Sequence, residues 1–181
     1  MKAYFLFILL LSFTISTSQK INQEIKTEKG LQFLVGPINL DGLQSEPYKN
    51  WFTPSYLNYT VDKSLTKMMK KSLGEYRVKL FLGTWCGDSK RETPRILKIL
   101  QEAKFPMKNL EIIALDRRKG FYKKSPGGEE KGLNIIKVPT LIFLKNGKEV
   151  NRIVESPIAS LEEDMLAILS GETYIPNYSS K

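Results

Sequence analysis

Any nucleophilic or redox chemistry in this chain has to start from one thiol, because the sequence holds one Cys and no His. Without His there is no Ser-His-Asp triad, no Cys-His pair and no imidazole ligand for zinc. With one Cys there is neither an internal disulfide nor a thiolate metal cluster. We expect no metal and no other cofactor, and Cys86 is the candidate nucleophile.

Cys86 lies between an apolar run at 78–82 and a stretch with helical periodicity at 87–103. This order predicts a strand, a tight turn and a helix, with the thiol at the helix N-terminus. The partial positive charge and the free N–H groups at that position favour the ionised thiolate, which is the nucleophilic form.

The neighbours of the thiol act on it in different ways. Ser89 lies three residues further on, so we expect its hydroxyl on the same turn, donating a hydrogen bond to the sulfur. The carboxylate of Asp88 opposes a second negative charge. Trp85 shields one side of the site, whereas Gly87 leaves room for a partner chain to approach.

Hydrophobic periodicity places the other elements. We expect strands at 31–35, 78–82, 110–115, 141–144 and 148–154, and helices at 61–73, 87–103 and 160–169. A short helix is expected between the third and fourth strands. Asn146-Gly147 predicts a two-residue hairpin turn, and Ser160 with Glu163 predicts a capping box. The order of elements is that of an α/β layer protein.

The segments between these elements are expected to be irregular. Residues 19–30 are polar and are predicted to form a mobile leader, and the strand at 31–35 is predicted to end at Gly36-Pro37. The aromatic-rich segment 41–59 is expected to pack its rings on the domain. The basic stretch 117–131 is interpreted as a solvated loop, with acidic partners or anionic lipid headgroups as the alternative. Asp116 is expected to cap its start, and an ion pair with Arg117 and Arg118 is the other role open to it.

The N-terminus has the composition of a secretory signal peptide. One charge at Lys2 precedes an apolar run, 3–13, and small residues stand at Ser16 and Ser18. The run is shorter than the roughly 20 residues that a comfortable membrane span needs, which disfavours the alternative of an uncleaved anchor. We expect cleavage after Ser18 and a periplasmic or secreted mature protein, not stably inserted in a membrane.

Three features in this order resemble thioredoxins: Trp85-Cys86-Gly87 at a strand-to-helix turn, Pro94 in the helix, and Val138-Pro139-Thr140 before a late strand. The resemblance implies a thioredoxin-like α/β fold, with a central mixed sheet, helices on both faces and an N-terminal extension. It also implies a cis proline at Pro139 against the sulfur, with Trp85 and Pro139 shaping a substrate groove that Val138 and Thr140 flank.

The stretch 83–91, together with 114–117, is similar to exported thioredoxin-family proteins of Bacteroidetes-type bacteria. The expected organisation is a signal peptide at 1–18, a leader and aromatic extension at 19–59, a thioredoxin-like domain at 60–171 and a tail at 172–181.

The departures from the family pattern fall on one half of its reaction. Ser89 stands where thioredoxins have a second cysteine, and Leu80 stands where they have a buried acid. Cys86 can therefore form a mixed disulfide but cannot be released by its own neighbour. The resemblance then implies a monothiol reductase or a disulfide isomerase. Its partners would be cysteine-containing envelope proteins or low-molecular-weight thiols.

A non-catalytic binding module of the cell envelope is the alternative, in which the backbone beside Pro139 binds an extended peptide. Catalysis requires Cys86, whereas binding survives Cys86→Ala. The net charge of +9 comes with no nucleic-acid-binding motif, so we expect no nucleic-acid partner. We expect a monomer.

Overall fold

The computed structural model describes residues 20–179, so the predicted signal peptide lies outside the described residues. Within this range a sheet of six strands runs in the order β1-β2-β4-β3-β5-β6. The strands are β1 Gln23–Lys26, β2 Gln32–Ile38, β3 Arg77–Leu82, β4 Leu110–Ala114, β5 Thr140–Lys145 and β6 Lys148–Val154. Strands β3 and β4 are parallel, whereas every other neighbouring pair in this sheet is antiparallel.

Three of the five described helices begin at a residue whose side chain caps the helix N-terminus. The helices are α1 Leu40–Gln44, α2 Lys49–Asn58, α3 Lys63–Leu73, α4 Gly87–Glu102 and α5 Leu161–Ser170, with a single 3₁₀ turn at Met107–Asn109. The three capped helices are α1, α3 and α5. The Asp62 carboxylate accepts from two N–H groups at the start of α3. The Ser160 hydroxyl accepts from Glu163 N at 3.1 Å, as the capping-box prediction requires. None of the helices described is long and apolar enough to cross a membrane.

The β5–β6 hairpin is confirmed at the predicted turn. Asn146 and Gly147 have φ values of 53° and 75°, and the strands on either side pair from Lys145 with Lys148 onwards. Two successive positive φ values are typical of the tight turns that fit the twist of a hairpin, and Asn-Gly adopts them at low cost.

The two faces of the sheet are covered differently. All five described helices contribute buried side chains to one large core cluster, including Phe52, Met69, Leu97 and Met165. The opposite face carries a smaller cluster built from Phe81, Ile113, Leu115, Val138 and Ile142, to which no helix contributes. The irregular segment 115–139 covers the second face.

The short helix expected between the third and fourth strands does not form, because 115–139 consists of turns and bends. This segment includes glycines at positions 120, 127, 128 and 132 and prolines at 126 and 139. Glycine and proline disfavour helix interiors.

The region before α3 is more ordered than the sequence indicates. The predicted mobile leader contains β1, which pairs with β2 from Gln23 opposite Val35 to Lys26 opposite Gln32. The aromatic segment forms α1 and α2. Strand β2 does not stop at Gly36-Pro37 but continues to Ile38, and its last three residues pair with β4. Strand pairing supplied by distant residues overrides the local turn signal at Gly36-Pro37.

A buried carboxylate on α5 fixes the end of α2 and the start of α3. Glu162 is 2% exposed and accepts hydrogen bonds from Tyr59 Oη at 2.7 Å and from Asp62 N at 3.2 Å. Burial and the neighbouring carboxylate raise the pKa of Tyr59, which keeps the phenol in its donating form.

Glu162→Ala is therefore expected to lower the free energy of unfolding by about 1–3 kcal/mol, because it leaves a buried donor without its acceptor. Urea unfolding followed by circular dichroism measures this change. Glu163→Ala is the matched control: its side chain is exposed on the same turn, and its loss is expected to cost less than about 1 kcal/mol. Equal effects of the two variants would contradict a tethering role for Glu162.

Candidate functional site

Cys86 is the N-cap residue of α4 and ends the tight turn that follows β3. Its N–H donates to Gly83 O at 2.8 Å, and its carbonyl accepts from Lys90 N at 3.0 Å in the first turn of the helix. The thiol is half-buried. It donates to Val138 O at 3.4 Å, although Val138 is 52 residues away in the chain. The predicted strand-turn-helix placement of the thiol is found.

Trp85 is fixed against the turn by its ring and by its N–H group. Its Nε1 donates to Leu115 O, at the end of β4, at 2.8 Å. A Cβ atom added at Gly83 would lie 2.6 Å from Trp85 Cε2, closer than such atoms approach in proteins. Gly83 is therefore required for this position of the indole, which packs beside Cys86 in the smaller core cluster.

The loop 137–140 lies against the Cys86 sulfur, and hydrogen bonds hold the loop in place. The Val138–Pro139 peptide bond is cis. Pro139 O accepts from Glu155 N at 2.7 Å. The Thr140 hydroxyl is buried and donates to Lys137 O at 2.7 Å, so it supports the loop from inside. Of the residues predicted to flank a groove, Val138 reaches the sulfur through its carbonyl.

Ser89 has a different partner from the expected one. It is fully buried, and its Oγ accepts from Gly83 N at 3.1 Å. The structure gives no hydrogen bond between Ser89 and Cys86, since the hydroxyl faces the backbone of the turn. Ser89 thus stabilises the turn that carries the thiol.

Asp88 and Gly87 lie on the open side of the turn. Asp88 pairs with Arg91 Nη2 at 2.9 Å, so part of its negative charge is balanced within the helix. Gly87 is exposed, and a Cβ added there would meet nothing within 4 Å. The space around Gly87 is therefore open.

The residues 116–124, which we call the cationic loop, adjoin the site. The loop is closed at its base by two backbone hydrogen bonds of 2.9 Å between Asp116 and residues 123 and 124. Asp116 is buried, accepts from Arg118 N at 2.7 Å and binds the Arg118 guanidinium at 2.7 Å. Asp116 is thus a loop cap, as the sequence predicts, and also an ion-pair partner.

The sequence gives no indication that the cationic loop reaches Trp85. The Tyr122 ring centroid lies 5.4 Å from that of Trp85, and the guanidinium carbon of Arg117 lies 5.9 Å from the Trp85 ring. Exposed runs of charged residues usually face solvent. The position of this run beside the Cys86 thiol follows from the folded chain and not from a local sequence pattern. An aromatic pair inside the basic run, Phe121-Tyr122, is the one local signal that points to packing.

Glu92 is a second residue that the sequence does not single out. It is 3% exposed, lies on α4 and accepts from Arg91 Nε at 2.5 Å, with Arg95 Nη1 at 3.5 Å from its other oxygen. That oxygen has no hydrogen bond. Together with Pro139 it lines a cavity of about 10 Å³, room for one water at most.

In the part of the chain that the structure describes, no three acidic or thiol side chains cluster as metal ligands.

Comparison with known proteins adds information on the fold. No family model matches this chain, and no curated protein matches it. A protein of unknown function from Pseudomonas aeruginosa is 16% identical with a TM-score of 0.50, covering 68% of this chain and 84% of that chain. An HIV epitope scaffold is 16% identical with a TM-score of 0.50, covering 69% and 86%. Thioredoxin O2 from Arabidopsis thaliana is 22% identical with a TM-score of 0.38, covering 59% and 84%.

The fold is thioredoxin-like. Parallel β3 and β4 are connected through α4, and the antiparallel pair β5–β6 is followed by α5, with β4-β3-β5-β6 as the sheet core. The mixed sheet and the N-terminal extension are as expected. Strands β1 and β2 of that extension belong to the same sheet.

Gly83→Ala is expected to displace the Trp85 indole and to lower the free energy of unfolding by about 1–3 kcal/mol through overpacking. Acrylamide quenching of Trp85 fluorescence, measured in a Trp51→Phe background, should increase because the indole leaves its site against Leu115. Gly74→Ala is the matched control, since a Cβ there meets nothing within 4 Å and its φ is −63°. Unchanged quenching in Gly83→Ala would contradict the close packing of this turn.

Proposed function

We propose that this chain is an exported member of the thioredoxin family that carries out thiol-disulfide exchange through a single cysteine. The observation that carries the proposal is the position of Cys86. Its half-buried thiol lies at the N-terminus of a 16-residue helix, and its sulfur is 3.4 Å from Val138 O on a neighbouring loop. A helix N-terminus stabilises a thiolate, and the open space at Gly87 admits a substrate.

The reaction begins when the thiol loses its proton to water and its hydrogen bond to Val138. The thiolate then attacks one sulfur of a substrate disulfide. A bond forms between Cys86 and that sulfur, the substrate S–S bond breaks, and the second substrate sulfur leaves as a thiolate that takes a proton from water. Cys86 is oxidised to a mixed disulfide while the leaving sulfur is reduced.

Release of the mixed disulfide requires a thiol from outside the chain. Ser89 cannot form a disulfide, and its oxygen already accepts from Gly83 N. Leu80 is fully buried in the large core cluster, so no carboxylate stands at that position to accept a proton. A second thiol, on the same substrate or on a small molecule, therefore completes the exchange. The first case is disulfide isomerisation and the second is monothiol reduction.

The signal-like composition of residues 1–18 supports export to the periplasm or secretion. The resemblance of 83–91 to exported proteins of Bacteroidetes-type bacteria agrees with that location. The partners would be cysteine-containing envelope proteins or low-molecular-weight thiols, met by a monomeric protein. Free thiols outside the cytosol are uncommon, which favours a chemical role for Cys86.

The mature protein is expected to form a mixed disulfide with hydroxyethyl disulfide, seen as a mass increase of one mercaptoethanol group by intact-mass spectrometry. Cys86→Ser should abolish the adduct, because no other thiol exists in the chain. Dithiothreitol should restore the original mass. A wild-type protein that stays unmodified in the native state, yet reacts once unfolded, would overturn the catalytic proposal.

Ser89→Cys is expected to restore the missing half-reaction. The substituted residue lies on the first turn of α4, three positions beyond Cys86. Once its side chain rotates from Gly83 N towards the sulfur, its thiol can attack the mixed disulfide from within the chain. The adduct with hydroxyethyl disulfide should then convert to an intramolecular disulfide without added thiol. The control is Ser72→Cys, on α3. An adduct that persists equally in both variants would show that position 89 cannot resolve Cys86.

A non-catalytic peptide-binding module is the second candidate. The absence of both resolving groups, at Ser89 and Leu80, favours it, because a protein that only binds needs neither. Peptides captured by the mature protein and retained by Cys86→Ala would support this candidate, whereas capture that disappears in Cys86→Ala supports exchange.

A further inference from the structure

The cationic loop has an excess of positive charge at one side of the thiol. Its nine residues hold five cations and a single carboxylate, Asp116. That carboxylate is buried at the base of the loop and forms an ion pair with Arg118. The other four cations are Arg117, Lys119, Lys123 and Lys124.

Two of these cations are held close to the site by aromatic rings. Arg117 lies over the Trp85 ring, with 5.9 Å between the guanidinium carbon and the ring centroid. Lys123 Nζ lies 5.1 Å from the centroid of Tyr122, which itself packs on Trp85. Lys123 also donates to Ile136 O, two residues before the carbonyl that the thiol contacts. The two cations therefore reach both sides of the site: the Trp85 turn and the loop that ends at Val138.

The carboxylates near the thiol are already paired with other cations. Asp88 binds Arg91 at 2.9 Å, and Glu155 binds Lys137 at 3.0 Å. For Arg117 and Lys123 the described residues provide rings and a carbonyl oxygen but no carboxylate. Burial and the charge of Lys137 lower the pKa of Lys123, while the Cys86 sulfur and Glu155 raise it. An anion beside Lys123 would offset the repulsion that Lys137 exerts on it.

We propose that Cys86 acts on disulfides that carry a carboxylate a few bonds from the S–S group, and that Arg117 and Lys123 bind this carboxylate. The inference rests on the proposed exchange function and names the substrate class of the same site. Binding of the carboxylate brings the disulfide to the sulfur and raises the rate of attack. The group that leaves carries its own carboxylate away, and the retained half keeps its carboxylate beside the two cations.

The probes are three disulfides with the same arm of two methylene groups: dithiodipropionate, hydroxyethyl disulfide and cystamine. Their arms end in an anion, a neutral hydroxyl and a cation. The rate of mixed-disulfide formation is measured for each with the mature protein. Each rate is divided by the rate of mercaptoethanol with the same disulfide, which removes the differences in leaving-group reactivity.

The expected normalised rates fall in the order anionic, neutral, cationic, with a preference of roughly tenfold for the anion over the neutral probe. Added salt should reduce the anionic rate and leave the neutral rate nearly constant. In the double variant Arg117→Gln/Lys123→Gln the preference should fall several-fold. The matched control is Lys67→Gln/Lys70→Gln, which removes the same charge from exposed positions of α3 and should keep the preference.

The two proposals fail in different ways. If all three probes react at equal normalised rates, or if the preference survives in the Arg117→Gln/Lys123→Gln variant, the carboxylate site is wrong while exchange by Cys86 stands. If no probe forms an adduct, exchange itself is wrong and the substrate class is overturned with it. The salt dependence is measured on the wild-type protein, so it still tests the proposal if the double variant does not fold.

Discussion

The hydrogen bond from Gly83 N to Ser89 Oγ ties the end of β3 to the first turn of α4, and the site depends on it. It is 3.1 Å long and completely buried. Losing one partner would leave the other unsatisfied in the core. The bond fixes where α4 begins, and thereby the direction of the Cys86 sulfur towards Val138. Ser89, which stands where thioredoxins have a second cysteine, thus stabilises the turn that carries Cys86.

The second face of the sheet explains why the site is accessible and charged. Turns between 115 and 139 cover that face, and the cationic loop is the part of them that packs on Trp85. A helix at this position would present its side chains at regular intervals. The turns instead bring an exposed run of cations, anchored through Asp116, Tyr122 and Trp85. The same irregular segment ends at Val138, so it contributes both the cationic side of the site and the carbonyl that the thiol contacts.

Local patterns predict the elements that are closed by local interactions. The hairpin at Asn146-Gly147, the cap at Ser160 and the strand-turn-helix around Cys86 are all decided within a few residues. The missed features depend on distant partners. Strand β1 exists because β2 pairs with it, and Ser89 faces Gly83 because the turn folds back on the helix. The position of Arg117 and Lys123 beside the thiol depends on where β4 ends relative to β3. No local sequence pattern predicts that relative position.

A protein that exchanges disulfides through one sulfur must stay open after its first partner is bound. When a second cysteine is present in the chain, the resolving attack comes from within, and the bound partner can close over the site. In the exchange proposed for this chain, the resolving thiol would arrive from solvent and approach the mixed disulfide along the line of its S–S bond. The open space at Gly87 leaves room for such an approach.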